Sequence, residues 1–115
     1  FLSGPGLVAE YVRQGGDTGV DAATVAARSV HDRTAREALD VFLDRFGRAL
    51  ATVINILDPD LVVLGGGLSN IEHLYIEGRQ RTAPYVFNED FRTPIVSNSH
   101  GDSGGVRGAA LLWPA

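Results

Sequence analysis

The 115-residue chain is 44 % hydrophobic and 21 % charged, a balance that fits one folded domain and excludes disorder over most of the length. Ten basic residues against fourteen acidic ones give a net charge of -4, and the arginines are scattered along helical faces, so nothing offers nucleic acid an electrostatic footprint. Zero cysteines exclude disulfides and thiolate zinc sites within the chain, His31, His73 and His100 lack metal-ligand spacing, and no run of about 20 apolar residues offers a membrane span. A cytoplasmic setting is compatible with this cysteine usage. The start at Phe1, with neither a methionine nor the pattern of a signal peptide, reads as a piece of a longer polypeptide.

In chain order, the spacing of Leu7, Val8, Tyr11 and Val12 predicts a helix over Pro5–Gln14, stopped by Gly15-Gly16. After a GGDTGVD loop, Asp21 can cap a second short helix running to about Val30. The strongest periodicity follows. From Asp32 to Leu57, Ala35, Ala38, Leu39, Phe42, Phe46, Ala49, Leu50, Val53, Ile54 and Leu57 recur at three- and four-residue steps, which predicts one helix of roughly 36 Å at about 1.5 Å per residue. Pro59 ends it, since the residue before a proline is driven out of helical backbone. Leu61–Leu64 is then an unbroken apolar run, expected inside a parallel sheet covered by helices on both sides.

Gly65, Gly66 and Gly67 follow that strand, and Ile71 to about Val86 reads as a helix weakened by Gly78 and Pro84. TPIVSNS is a second strand, parallel to the first through a right-handed crossover, and VRGAALLW is expected as a closing helix. Two strands cannot cover so long an apolar stripe on the Asp32 helix. Either copies of the chain pair through it or further strands lie outside these residues.

The glycines sit at the carboxyl edge of a buried strand, where open α/β sheets bind ligands. Backbone without Cβ atoms can turn sharply and let a flat ligand approach, although a tight turn with no ligand explains the same residues. GGGLSN places Asn70 where a dinucleotide fingerprint needs its third glycine, and no P-loop occurs in a chain without lysine. In SHGDSGG, His100, Asp102 and Ser103 suggest a hydrolase, but residues adjacent along a loop rarely adopt triad geometry. A turn in which Asp102 caps the last helix is the simpler account. Arg107 suits a salt bridge better than a phosphate. Gly104, Gly105, Gly108, Ala109 and Ala110 form a small-residue packing face, and His31 and His73 read as exposed helix residues.

Taken together, FLSGPGL, NILDPDLVVLGGGLSN and HGDSGGVRGAALLWP resemble, in order and spacing, the carboxyl-terminal part of ROK-family sugar kinases, over essentially residues 1–115. The closing motif is most similar to that of bacterial fructokinases, with N-acetylglucosamine kinases close behind. The resemblance implies an α/β, ribonuclease H-like (actin-like ATPase) fold, here a partial second lobe with two parallel strands and a long helix. It implies that Gly65, Gly66 and Gly67, with Leu68 and Ser69 beginning the next helix, approach the adenosine of ATP. Ser3 and Gly4 match the segment just after the family's zinc-binding, sugar-contacting motif. The catalytic Asp, the phosphate loops, the Mg2+ site and the structural zinc would all lie upstream, so ATP and a hexose are partners of a longer, homodimeric enzyme and this chain alone is inactive. The competing expectations are the sugar-sensing lobe of a ROK transcriptional repressor and a stand-alone oligomerisation module.

Overall fold

A computed structural model describes residues 3–98 and the backbone of Ala110–Pro114. Helix α1 (Gly4–Arg13) begins where Ser3 Oγ accepts the Gly6 amide at 3.1 Å and Pro5 fills the first turn. Helix α2 (Ala22–Arg28) starts on Asp21, whose Oδ1 accepts the Thr24 amide at 2.8 Å. Helix α3 (Arg33–Leu57) starts on Asp32, which accepts from Thr34 and Ala35. All three starts agree with the sequence to within a residue or two, because each rests on a capping side chain with a free backbone amide to satisfy. At its far end, Asp58 adopts a left-handed φ of 45°, and Pro59 opens the next element.

That element is β1 (Pro59–Leu64), the centre of a three-stranded sheet in the order β2-β1-β3. Strand β2 (Ile95–Ser97) pairs parallel to it, with Val62 opposite Ile95 and the Asn98 amide bonded to Leu64 O at 2.8 Å. Strand β3 (Ala110–Pro114) pairs antiparallel, Leu64 opposite Ala110. The expected closing helix is therefore incorrect over Ala110–Pro114. An apolar run ending in proline completes the backbone pairing of β1, whose second edge would otherwise leave its N–H and C=O groups unpaired. The SHGDSGG turn, the capping role of Asp102, Arg107 and most of the small-residue face lie outside the described residues.

Two other expectations need correction. Val62 and Leu64 are fully buried while Leu61 and Val63 are only half-buried, so among the described residues helices cover one face of β1 rather than both. The stripe on α3 is also not orphaned. Ala35, Ala38, Leu39, Phe42, Leu43, Phe46, Leu50 and Ile54 are buried against α1, α2 and the segment after β1. Helices of this chain cover what was assigned to absent strands, although Ala49 and Leu57 turn out to be exposed.

The segment after β1 is not one regular helix. A 3-10 turn (Gly66–Asn70) is followed by a π-helical turn (Leu74–Gly78), the short α4 (Arg79–Thr82) and a second 3-10 turn (Ala83–Tyr85). The irregularity accompanies close approach to α3. A Cβ on Gly78 would meet the Phe46 ring at 3.0 Å, and one on Gly47 would collide with the Arg81 backbone carbonyl. Charged side chains fix the same contact: Arg36 donates to Asp40 at 2.6 Å and Glu77 at 2.8 Å, and Arg81 reaches Asp40 at 2.9 Å. Glu77 and then Asp40 raise the Arg36 pKa above its already high ordinary value. His73 is half-buried here, with Nε2 3.8 Å from Glu77, contrary to the expected exposure.

At the start of α3, the Tyr11 hydroxyl donates to Asp32 at 2.9 Å and accepts from Arg28 at 3.1 Å. Gly16 lies flat on the Tyr11 ring, where a Cβ would come within 2.5 Å of it. Glu10 is buried with its side chain only 4 % exposed, ion-paired with Arg13 and Arg45 and accepting from Gln14 at 2.7 Å. Hydrogen bonds from Arg13 and then Gln14 hold its carboxyl below the ordinary 4.5.

Gly47→Ala should lower stability by about 1–2 kcal/mol, overpacking at the α3–α4 contact outweighing the gain in helix propensity; urea unfolding at constant m-value measures it. Glu10 makes a second, pH-dependent expectation. Its folded pKa is depressed, so its contribution is complete above pH 4.5 and is lost as pH falls through the folded value. Glu10→Gln should cost about 2 kcal/mol at pH 7 and flatten the stability profile below pH 4.5, read from unfolding midpoints across that range.

Candidate functional site: the cleft at the glycine turn

The turn that leaves β1 is built from three different glycines. Gly65 is extended (φ -117°, ψ 177°) and buried, continuing the strand. Gly66 takes φ +60°, which an L side chain rarely adopts, and this single residue turns the chain into the 3-10 segment. Gly67 has no positive φ, and among the described residues no atom lies within 4 Å of a built Cβ. Nothing in its own backbone or packing requires glycine there.

Leu68 points the other way, into the core at 2 % exposure, and the Ser69 hydroxyl donates to Gly66 O at 2.7 Å. Tyr75 closes the turn by donating to Ser69 O at 2.8 Å, and burial raises its phenol pKa. Of the five residues singled out in sequence, Gly67 therefore faces open space, Gly65 and Gly66 shape the backbone, and the side chains of Leu68 and Ser69 hold the turn in place.

The space beside Gly67 is a cleft of about 590 Å³. One wall is the start of α1, with Gly4, Pro5, Val8 and Ala9; the other is Val20–Ala23 at the start of α2; Gly67 and Asn70 close it at the carboxyl end of β1. The walls are mainly aliphatic. Among the described residues its only polar side chains are those of Asp21 and Asn70, and no arginine lines it. The Thr24 hydrogen bonds lower the Asp21 pKa, keeping its carboxylate ionised near neutral pH. Sequence reasoning missed both walls. Their residues read as helix-start and loop, and only the fold brings Val8, Val20 and Gly67 to one place, though Ser3-Gly4 and Asn70 had each been noted for other reasons.

A smaller depression of about 260 Å³ lies by Asp58, Asp60, Asp90 and Arg92, at the amino end of β1. Sheet ligands bind at the opposite end, so the glycine cleft is the candidate site. Among the described residues no three His, Cys, Asp or Glu side chains converge to hold a metal ion, and no helix is long and apolar enough to cross a membrane. Among the described residues no zinc-ligand set is therefore present.

The fold is thus α/β, with a mainly aliphatic cleft at the carboxyl end of a parallel strand. The family model described as the ROK family matches residues 1–115, and the chain belongs to that family. The N-acetyl-D-glucosamine kinase of Photobacterium profundum is 38 % identical over 112 residues, 97 % of this chain and 37 % of that protein. That of Haemophilus influenzae is 34 % identical over 119 residues, 98 % and 37 %, and that of Mannheimia succiniciproducens is 40 % identical over 83 residues, 71 % and 27 %. The chain thus spans 37 % of the length of the first of these curated relatives. Their names correspond to the second of the two kinases it resembles in sequence rather than to fructokinase.

The two later glycines of the turn should separate on substitution. Gly66→Ala is expected to cost about 1–2 kcal/mol through its left-handed backbone, whereas Gly67→Val should stay within about 0.5 kcal/mol, as for a surface change. Thermal unfolding of both variants checks the difference.

Proposed function

We propose that this chain is the carboxyl-terminal portion of an ATP-dependent sugar kinase with a ribonuclease H-like (actin-like ATPase) fold, and that its cleft receives the adenosine of ATP. The observation that carries the reading is Gly67: a residue that folding leaves free to carry a side chain opens onto a cleft with aliphatic walls. No cationic side chain among the described residues lines that cleft. It suits the nucleoside half of ATP and leaves the triphosphate and its Mg2+ to residues elsewhere in the polypeptide.

Phosphoryl transfer needs an oriented hydroxyl, a base that accepts its proton, and a metal-bound triphosphate in line with it. Gly65–Ser69 and the cleft walls position one substrate and supply none of those groups, so the 115 residues bind nucleotide without turnover. The relatives support N-acetyl-D-glucosamine as the acceptor, and fructose, suggested by the HGDSGGVRGAA motif, takes second place. The same reading carries a cytoplasmic homodimer.

Titration of the isotopically labelled chain with adenosine or ATP is expected to shift the amide resonances of Gly65–Ser69, Asn70 and Val20–Ala23. Unmoved glycine amides in the folded chain would remove the nucleotide role. Incubated with ATP, Mg2+ and N-acetylglucosamine or fructose, the 115 residues should form no sugar phosphate; robust turnover would overturn the assignment of the base to another part of the polypeptide.

A further inference from the structure

We propose that Asp21 is a ligand-contacting residue whose carboxylate receives the ribose hydroxyls of the nucleoside held in the Gly67 cleft. This rests on the proposed nucleotide reading of that cleft and adds the group that selects a ribonucleoside within it.

The cleft offers a nucleoside little polar recognition. Val8, Ala9, Val20 and Ala23 can enclose a planar base, and of the described lining side chains only Asp21 and Asn70 carry polar atoms. Asp21 is exposed at the cleft wall, between half-buried Val20 and buried Ala22. Its Oδ1 accepts the Thr24 amide as the cap of α2, which fixes the orientation of the carboxyl group. A carboxylate has two oxygens and about four acceptor positions, so one capping bond leaves capacity for more.

The chemistry of that group narrows its partner. An ionised carboxylate only accepts hydrogen bonds, and it repels phosphate, so it belongs beside neutral donors. A ribonucleoside presents two adjacent hydroxyl donors between the base and the phosphate-bearing carbon. With the base between the aliphatic walls, the sugar falls at the exposed rim where Asp21 stands. Asn70, with a donor and an acceptor in one plane, is suited instead to a base edge. Capping and recognition thus come from different parts of one side chain, and Asp21 is more than a helix start.

The test uses the whole chain and separates those roles, because asparagine caps a helix about as well as aspartate. Dissociation constants are measured from amide shifts for adenosine, 2′-deoxyadenosine, 3′-deoxyadenosine and purine riboside, with wild type, Asp21→Asn and Asp21→Ala. Wild type should favour adenosine over both deoxynucleosides by about 10-fold, as expected for a hydrogen bond to a charged group, and should bind purine riboside about as well as adenosine. Asp21→Asn should keep the unfolding temperature but lose most of that preference. Asp21→Ala should lose both. Discrimination surviving in Asp21→Asn overturns the inference, as does a wild-type preference that depends on the 6-amino group and not on the hydroxyls. If nucleosides move the Gly65–Ser69 amides without discrimination, Asp21 loses its role and the nucleotide reading stands; if those amides do not move, both fall.

Discussion

Removal of the α3 stripe from water organises this chain. Phe42, Phe46, Leu39, Leu43 and Leu50 are each 5 % exposed or less, and burying a large aliphatic or aromatic side chain contributes about 1.5–3 kcal/mol. No helix as short as α1 or α2 is stable alone in water, so both exist because α3 gives them a surface. The segment after β1 follows the same rule in a stricter form. It comes so near α3 that two glycines, Gly47 and Gly78, mark the contact, and its regular helical hydrogen bonding gives way to π and 3-10 turns.

What could be read from sequence was what is local. Asp21 and Asp32 announce their helices because a short acidic side chain before an apolar period satisfies amides two or three residues on. The period of α3 is legible for the same reason: the whole pattern lies in one stretch of chain, and no distant residue is needed to interpret it. The side that each face meets was not legible. The stripe seemed too long for two strands, yet the missing cover came from Leu7, Tyr11 and Leu74, residues separated from it by loops. The Ala110–Trp113 part of VRGAALLW departed from the expected helix for a related reason. Leu111, Leu112 and Trp113 satisfy a helix or a strand equally, and the unpaired edge of β1 decides between them.

The candidate site divides along the same line. Three glycines after a buried strand mark a ligand edge in any open α/β sheet, and the sequence shows that much. Which glycine serves what purpose depends on backbone angle and open space, neither of which is visible in a run of identical letters. Gly66 answers to φ, Gly67 to open space, and Gly65 to the strand. The facing wall required α1 and the α2 start to be folded back toward β1, and no motif in Val8, Ala9 or Val20 announces that.

The contact between Gly16 and the Tyr11 ring reaches further than its own packing. Tyr11 belongs to α1, one wall of the cleft, while Gly16 leads into the loop that forms the other, and the Tyr11 hydroxyl is held by Asp32 and Arg28. The two walls therefore share one anchor, a buried phenol that ties α1 to the loop and to α2. A binding site whose walls are tied together loses less ordering entropy on association.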